Sequence, residues 1–269
     1  MTRSSETDGT RPVAAANDDE SPSLLFARIE AAVAATGLAC HGLVAARPED
    51  GLPTLPDGRR IGGLLLLGWR GGSSWEAFAG SPEHHDGRPD PLDRWSRRVI
   101  GGLAEAFGLF AFFPFDGPPW WPFQRWAART ATIFPSPIGL DIDGEVGLWH
   151  AHRGALGLPE GITVPAARPT TSPCAVCGDR PCLSACPIGA FDGRSYDAER
   201  CLARLTGQDG EACRREGCRA RLACPVGRDG RYGGEQIRFL MDAWIRTPPF
   251  GLGPARGAAP KKTDPEETR

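Results

Sequence analysis

The feature that most constrains this 269-residue chain is a concentration of cysteines in its C-terminal half. Eight of the nine cysteines fall within 51 residues, and two of them are followed by proline. The first group comprises Cys174, Cys177, Cys182 and Cys186, and the second comprises Cys201, Cys213, Cys218 and Cys224. Uncoordinated buried cysteines would not cluster in this way, so we expect these thiols to bind metal.

The spacing of the first group is typical of iron–sulfur ligands. Two-cluster bacterial ferredoxins use the run C-x2-C-x2-C-x3-C-P, in which the fourth cysteine binds the other cluster. The final C-x3-C-P is intact at Cys182, Cys186 and Pro187, whereas four residues instead of two separate Cys177 from Cys182. The second group is looser still. Longer spacers are tolerable because the cost of loop closure grows slowly with length.

The crossover of the ferredoxin pattern predicts two interleaved ligand sets for two [4Fe–4S] clusters. Cys174, Cys177, Cys182 and Cys224 would hold one cluster, and Cys186, Cys201, Cys213 and Cys218 would hold the other. Four nearby arginines (Arg214, Arg215, Arg219 and Arg221) would raise the cluster potential or dock an acidic electron donor, or form a solvated basic surface. If either cluster is altered, we expect it to be the one bound by the irregular second group.

Cysteines also bind structural zinc and form disulfides, and both are alternatives to iron–sulfur binding. Structural zinc prefers paired C-x2-4-C ligands, and only Cys174 and Cys177 form such a short pair. Disulfides require an oxidising compartment, for which the sequence offers no argument. A zinc-stabilised interaction module is therefore kept as the second alternative to an iron–sulfur enzyme. Cys40 stands alone and is predicted to be a small core residue.

Bulk properties narrow the class of protein. The net charge of −2 lacks the basic excess of a nucleic-acid binder, so a nucleic-acid partner is not expected. The N-terminus has no apolar leader, and the longest aliphatic run, 64–67, is too short to span a membrane. We therefore expect a cytoplasmic protein without membrane association.

Hydrophobic periodicity predicts an α+β fold in two domains between terminal tails. Helices are expected over 21–37, 93–108, 123–130, 197–205 and 234–245, and strands over 61–69, 109–115, 139–142 and 147–155. The predicted boundaries are a disordered tail at 1–20, an N-terminal α/β domain at 21–168, a cluster-binding domain with a C-terminal helix at 169–251, and a disordered tail at 252–269.

The N-terminal half contains one unusual stretch at 113–126, which is rich in proline and aromatic residues. Such a rigid loop would either line a wide apolar pocket, with Asp116 as its one acidic group, or simply pack in the core. His150 and His152 alternate along a predicted strand and so share a face, where they would be ligands, proton donors or plain surface residues.

The cysteine region resembles the ferredoxin part of epoxyqueuosine reductase, a cobalamin-dependent iron–sulfur enzyme that reduces a tRNA base precursor. The resemblance lies in the C-x3-C-P run, in Cys201-Leu-Ala-Arg-Leu and in Gly217-Cys218 followed by Cys224-Pro225. The segment 147–165, which begins Gly147-Leu-Trp149, looks like the strand that leads into that family's cysteine domain. The same segment is similar to the cobalamin-processing proteins that remove the upper ligand of vitamin B12.

This resemblance implies a sandwich-like N-terminal domain of the cobalamin-processing and nitroreductase kind, followed by a two-cluster ferredoxin-like domain. It implies a corrinoid cofactor, with Asp116 as the proton donor in the position of the reductase's acidic residue. The expected cofactor-binding residues are Trp120, Trp121, Trp149 and Arg153. We do not expect the reductase's tRNA-binding helical-repeat domain after the last helix, nor a tRNA substrate.

The leading hypothesis is an iron–sulfur oxidoreductase that transfers electrons to a substrate or corrinoid in its N-terminal domain. Its partners would be a small-molecule or corrinoid ligand and an electron donor such as a flavodoxin or a reductase. The alternative is a plain ferredoxin-type electron carrier whose N-terminal half docks a partner enzyme.

Overall fold

The computed structural model describes residues 21–162 and 171–246, and its contacts divide the chain into two compact units. The first unit runs to Phe134 and resumes over Trp149–Thr171. The second unit combines Pro135–Leu148 with the described residues from Ser172 to Arg246. A segment from the middle of the sequence therefore belongs to the cysteine-rich unit.

The first unit is built on a four-stranded antiparallel sheet with the strand order β1-β2-β6-β3. Its strands are β1 (Ala39–Ala45), β2 (Ile61–Arg70), β3 (Phe110–Phe112) and β6 (His150–Pro159). Its helices are α1 (Pro22–Ala35), α2 (Trp75–Ala79), α3 (Pro82–His85), α4 (Pro91–Phe107) and α5 (Phe123–Ala127).

Local sequence explains where the two long helices of this unit lie. Ser21 caps α1 because its hydroxyl accepts a hydrogen bond from the Leu24 N–H at 3.3 Å, and Pro22 occupies the first turn. Helix α4 also begins with a proline, Pro91, and ends at Gly108. Its apolar residues recur at helical spacing, so one face is buried while the opposite face carries arginines.

Strand β2 lies at the centre of the core. Its residues Leu64–Leu67 are at most 1% exposed, and since successive side chains alternate across a sheet, both faces of this strand are covered. Leu64 and Leu66 pack with Phe112 and Trp126 in one cluster of buried residues. The aliphatic run 64–67 is thus a core strand.

The second unit consists mostly of short helices joined by loops. These are α6 (Pro173–Val176), α7 (Pro181–Ser184), α8 (Ala198–Thr206), α9 (Glu211–Glu216), α10 (Arg219–Leu222) and α11 (Gly234–Arg246). A small two-stranded sheet pairs β4 (Ile133–Pro135), whose last residue begins this unit, with β5 (Asp141–Asp143). The short helices are what place cysteines at separate points around a common centre.

The mixed α+β character predicted from periodicity is confirmed, and all five predicted helices are present. The structure differs in the strands. The predicted strand at 147–155 begins only at His150, because Gly147 pairs with Asp143 in a bridge that closes a turn, and the predicted strand at 109–115 shortens to Phe110–Phe112. The predicted strand at 139–142 begins only at Asp141, as β5. Strands β1 and β4 were not predicted. The predicted domain boundary at 168/169 and both predicted tails lie outside the described residues.

Within residues 21–162 and 171–246, no helix is long and apolar enough to cross a bilayer.

Candidate metal centres

Four cysteines from both sequence groups surround one cavity of the second unit, with an empty volume of about 320 Å³. Cys174 lies in α6, Cys177 ends that helix, and Cys182 lies in α7. Cys224 comes from the far end of the cysteine region, just after α10. We call this set the first quartet.

The thiols of the first quartet affect one another electrostatically. Burial raises the pKa of Cys174, and the neighbouring Cys224, Cys182 and Cys177 raise it further. Burial likewise raises the pKa of Cys182, with Cys224 and Cys177 adding to the effect. Four thiolates grouped around one cavity repel one another unless a cation lies among them. The site is therefore chemically suited to a metal ion.

The segment Pro135–Leu148 closes one side of the first quartet's cavity. Pro137 and Ile142 line the cavity together with the cysteines. The backbones at Gly147 and Gly227 approach so closely that a Cβ on Gly227 would overlap the carbonyl oxygen of Val146. This approach fixes the chain that follows Cys224.

The other four cysteines surround a second cavity, with an empty volume of about 360 Å³. Cys186 follows α7, Cys201 lies in α8, Cys213 lies in α9, and Cys218 precedes the first residue of α10. Each of these four cysteines is thus supplied by a different part of the unit. We call this set the second quartet.

Hydrogen bonds to sulfur occur in both quartets. In the first, the N–H groups of Cys182 and Leu183 donate to the Cys182 sulfur and lower its pKa, although burial raises it overall.

In the second quartet, more of the cysteines accept such bonds. The Ala190 N–H donates to Cys186 Sγ at 3.4 Å. Burial raises the pKa of Cys218, while the N–H groups of Arg221 and Ala220, which donate to its sulfur, lower it. These donors stabilise negative charge on the sulfur atoms, as they do around iron–sulfur clusters.

Tyr196 is a residue of this site that sequence reasoning missed. Its hydroxyl donates to the sulfur of Cys201, and this hydrogen bond lowers the pKa of the thiol, although burial raises it overall. Burial and the same hydrogen bond raise the pKa of Tyr196 above its usual range. The ring stacks on Phe191, with 4.8 Å between centroids, which fixes the direction of the hydroxyl. A tyrosine five residues before a cysteine carries no recognisable motif.

The structure brings together the two ligand sets that the crossover rule predicts, and all eight cysteines are free thiols. Four soft thiolates around each cavity fit an iron–sulfur cluster, for which cysteine is the usual ligand. The first quartet would hold one cluster and the second quartet the other. The identity of the metal stays a prediction.

The predicted arginine group disperses in the structure. Only Arg219 lines a cysteine cavity, where it also pairs with the exposed Glu216. Arg214 donates to backbone carbonyls of Leu205 and Gly207, and Arg215 pairs with Glu211 on the surface. Arg221 donates to the carbonyl oxygen of Leu148 at 2.9 Å.

Two arginines that were not predicted do line the cavities: Arg180 in the first quartet and Arg204 in the second.

The aromatic loop of the first unit forms a separate cavity with an empty volume of about 880 Å³. Asp116, the predicted proton donor, lines this cavity. Trp120 and Trp121, two of the predicted cofactor-binding residues, line it as well. Trp120 is exposed, whereas Trp121 stacks on the buried Trp126 with 5.9 Å between ring centroids. The carboxylate of Asp116 forms an ion pair with Arg97.

The other two predicted cofactor-binding residues do not line this cavity. The side chain of Trp149 is 1% exposed and belongs to the core. Arg153 donates to the Ser96 hydroxyl at 3.0 Å and pairs with Asp93 of α4. Both residues lie within the predicted strand 147–155, but Trp149 is buried just before β6, and the Arg153 side chain is directed toward α4.

Three histidines of the first unit lie close together: His41, His150 and His152. Burial lowers the pKa of His41 well below its usual range, and His152 and His150 lower it further. Burial also lowers the pKa of His152 to about 4, with a contribution from His150. The shared face of His150 and His152 was predicted, but the participation of His41 was not.

Cys40 lies beside this group in β1 but belongs to neither quartet. Burial raises the pKa of its thiol to about 12, and Glu30 adds to the effect.

Comparison with protein-family models and with curated proteins finds no match to this chain. The resemblance to cobalamin-dependent iron–sulfur reductases therefore stands as a prediction from the residues that carry it.

Proposed function

We propose that this chain is an iron–sulfur redox protein that carries two [4Fe–4S] clusters. The observation that supports the proposal is the sorting of eight cysteines into two quartets, each around its own cavity. Cys224 joins the first quartet from the end of the sequence region, and Cys186 joins the second from its beginning. This exchange is the arrangement of two-cluster ferredoxins.

The residues around each quartet have definable tasks in such a protein. A bound [4Fe–4S] cluster would accept and release single electrons. The thiolates would hold it, and backbone N–H groups together with the Tyr196 hydroxyl would stabilise charge on the sulfur atoms of the second quartet. Arg180 and the pair Arg204 and Arg219 place positive charge at the walls of the two cavities.

The electron acceptor in this proposal is a substrate or corrinoid bound by the first unit. Asp116, Trp120 and Trp121 support it because they line one open cavity, which combines aromatic surface with a carboxylate. The tryptophans would contact a flat, largely apolar ligand, and Asp116 would offer a polar group at its edge. Trp149 and Arg153 would support the fold around this region instead of touching the ligand.

The metal content of protein isolated without oxygen tests the cluster assignment. We expect about eight iron atoms and about eight acid-labile sulfides per chain, as two cubane clusters require. A serine variant of Cys40, which belongs to neither quartet, should keep the full content. A colourless protein that contains zinc and no sulfide would contradict the proposal and support the zinc-stabilised module.

Corrinoid binding is tested separately by titrating the iron-loaded protein with cobalamin and following its spectrum. We expect a spectral change with the parent chain and with Leu24→Ala, an exposed apolar residue in the same unit. Trp120→Ala should weaken binding at least tenfold, because it removes the exposed aromatic wall of the cavity. The absence of any spectral change with the parent chain would exclude the corrinoid reading while leaving the clusters intact.

A plain electron carrier is the second candidate, and the ion pair between Asp116 and Arg97 favours it. In this reading the carboxylate is a structural partner of α4 and takes no part in proton transfer. Asp116→Asn would then leave electron transfer to an artificial acceptor unchanged and would only lower thermal stability. A selective loss of substrate reduction in Asp116→Asn would instead support the enzyme.

A further inference from the structure

Three imidazoles meet inside the first unit at a distance that suits a metal ion. His41, His150 and His152 each offer a ring nitrogen, and these three atoms lie within 4.8 Å of one another. Nδ1 of His41 lies 3.1 Å from Nδ1 of His152. His41 is only 5% exposed, so this grouping is not a chance encounter of surface side chains.

The backbone brings these side chains together from strands that are not neighbours. His41 lies in β1 and the other two histidines in β6, with β2 between the two strands. The β1–β2 register shifts between Cys40 and Gly42, which makes His41 the extra residue of a bulge. Bulges re-aim side chains, and they are common beside functional sites.

A glycine in the middle strand leaves room for the His41 ring and for the close approach of the Ala151 carbonyl oxygen, which would lie 2.0 Å from a Cβ at Gly68. Gly68 of β2 pairs with His152 of β6, and a Cβ at Gly68 would lie 2.7 Å from Cε1 of His41. Any side chain at this position would occupy the space into which the His41 ring extends. The gap in β2 therefore allows histidines from both of its neighbours to meet.

The second nitrogen of His41 has a partner that sets the tautomer. Nε2 lies 3.0 Å from the carbonyl oxygen of Trp69, which can only accept a hydrogen bond, so Nε2 carries the proton. The lone pair of His41 then lies on Nδ1, on the side of the ring that faces His152. Metal-binding histidines are typically oriented in this way, by donating their other N–H to a backbone carbonyl or carboxylate.

We propose that His41, His150 and His152 form a binding site for one divalent transition-metal ion, with zinc as the ion expected. Three imidazole nitrogens are a known ligand set for zinc, and they leave the fourth tetrahedral position open to water or a substrate. Imidazole nitrogen is a good ligand for zinc, whereas the hard cations Mg²⁺ and Ca²⁺ prefer oxygen ligands. The site lies wholly in the first unit and does not depend on the cysteine quartets.

X-ray absorption at the zinc edge tests this proposal. The sample is the full chain, whose cysteine quartets are first loaded with iron and sulfide. One equivalent of Zn²⁺ is then added. Nitrogen ligands lie at about 2.0–2.1 Å from zinc and sulfur ligands at about 2.3 Å, so the spectrum separates the histidine site from the cysteines. We expect nitrogen scatterers without sulfur. If a quartet is still free, the first zinc ions will occupy it, so the titration continues to three equivalents, which exceeds the capacity of both quartets. A spectrum that still contains no nitrogen-ligated zinc at three equivalents would overturn the proposal.

Variants identify the ligands by their zinc dissociation constants, measured by competition with a chelator. His150→Ala and His152→Ala should each weaken zinc binding at least a hundredfold, as should His41→Ala if that buried position tolerates the change. His85→Ala, at an exposed histidine of α3, is the matched control and should bind zinc as the parent does. Unchanged binding in both His150→Ala and His152→Ala would reduce the group to a metal-free, hydrogen-bonded cluster and refute the site.

Discussion

The two cysteine quartets surround cavities of similar empty volume but differ in how the chain supplies their ligands. Three of the four cysteines of the first quartet lie within nine residues, and its cavity is completed by the distant segment Pro135–Leu148. The second quartet collects its cysteines from α8, from α9, from the residue that precedes α10 and from the loop after α7. A compact motif and a dispersed one therefore produce cavities of about 320 and 360 Å³.

The irregular spacing of the second group has a structural cause. Cys201 and Cys213 lie on separate helices, α8 and α9, so the eleven residues between them are needed to leave one helix and enter the next. Cys218 stands at the start of a third helix. The spacing that makes this group look imperfect as a motif is thus the length that its helices demand.

Surroundings also separate the two sites. The first cavity is walled mainly by prolines and by residues of the segment Pro135–Leu148. The second cavity is walled by helix side chains such as Leu205 and Met241 and has the Tyr196 hydroxyl bonded to one of its sulfurs. Both sites have backbone N–H donors to sulfur, and the second adds the Tyr196 hydroxyl. We therefore expect the second cluster to have the higher reduction potential, because each hydrogen bond to sulfur stabilises the reduced state.

The largest expected effect comes from breaking the exchange of ligands between the two groups. Cys224→Ser should remove the cluster of the first quartet although Cys224 belongs to the second group in sequence. Iron and sulfide content should fall to about half, and the remaining signal should match that of Cys182→Ser. Electron paramagnetic resonance of the reduced protein makes this comparison. A Cys224→Ser signal identical to that of Cys213→Ser would show that the ligands are not exchanged.

A backbone variant should weaken the first quartet selectively. Gly227 has a φ of +68° and no space for a Cβ beside the carbonyl of Val146, so Gly227→Ala combines left-handed strain with a clash. We expect a cost of about 3 kcal/mol. The first cluster should then be lost at a lower temperature than the second, as followed by its absorbance during heating.

Gly189→Ala is the matched control for this variant. Its φ is +60°, but nothing lies within 4 Å of the position that a Cβ would take, so only the left-handed strain of about 1–2 kcal/mol applies. Equal losses of stability in Gly189→Ala and Gly227→Ala would mean that the close approach of Gly147 and Gly227 contributes nothing to the first site.

Sequence reasoning predicted the eight cysteines and their division, because ligand type and a known crossover are properties of local spacing. It also placed the long helices, whose apolar periodicity is strong. It did not assign Pro135–Leu148 to the cysteine-rich unit, because Pro137 and Ile142 carry no sign of their distant neighbours. Periodicity can be recognised within one segment, whereas packing between distant segments cannot be predicted from either segment alone.

The histidine group illustrates the same limit. The alternation of His150 and His152 showed that they share a face, as period-two spacing requires. His41 lies in β1, which β2 separates from β6. Its ring reaches the other two histidines because residue 68 of β2 is a glycine and leaves space for it. Likewise, the predicted roles of Trp149 and Arg153 depended on a strand whose side chains turn to the core and to α4.

A smaller effect is expected when the second quartet loses its tyrosine hydroxyl. Tyr196→Phe keeps the ring stacked on Phe191 but removes the donor to Cys201, so the reduced state of the second cluster loses one hydrogen bond. A net value of roughly 1 kcal/mol corresponds to a potential lower by about 40 mV for one electron. Redox titration should show this shift in one cluster only. Tyr232→Phe, at the chain's other tyrosine, should leave both potentials unchanged, and a shift of the first potential in Tyr196→Phe would contradict the assignment.

The smallest effect should come from the arginine at the wall of the second cavity. Arg219→Gln removes a positive charge that favours the reduced cluster, but the side chain is 39% exposed and already paired with Glu216. An exposed charge interaction is worth roughly 0.2–0.5 kcal/mol, so we expect the second potential to fall by only about 10–20 mV. Arg215→Gln, whose partner Glu211 is also on the surface and which lines neither cavity, is the control and should have no effect. High salt should erase the Arg219→Gln shift but not the Tyr196→Phe shift, since screening acts on exposed charges and not on a hydrogen bond donated by a neutral hydroxyl. Persistence of the Arg219→Gln shift at high salt would place the guanidinium in direct contact with the cluster and make charge, not hydrogen bonding, the main difference between the two sites.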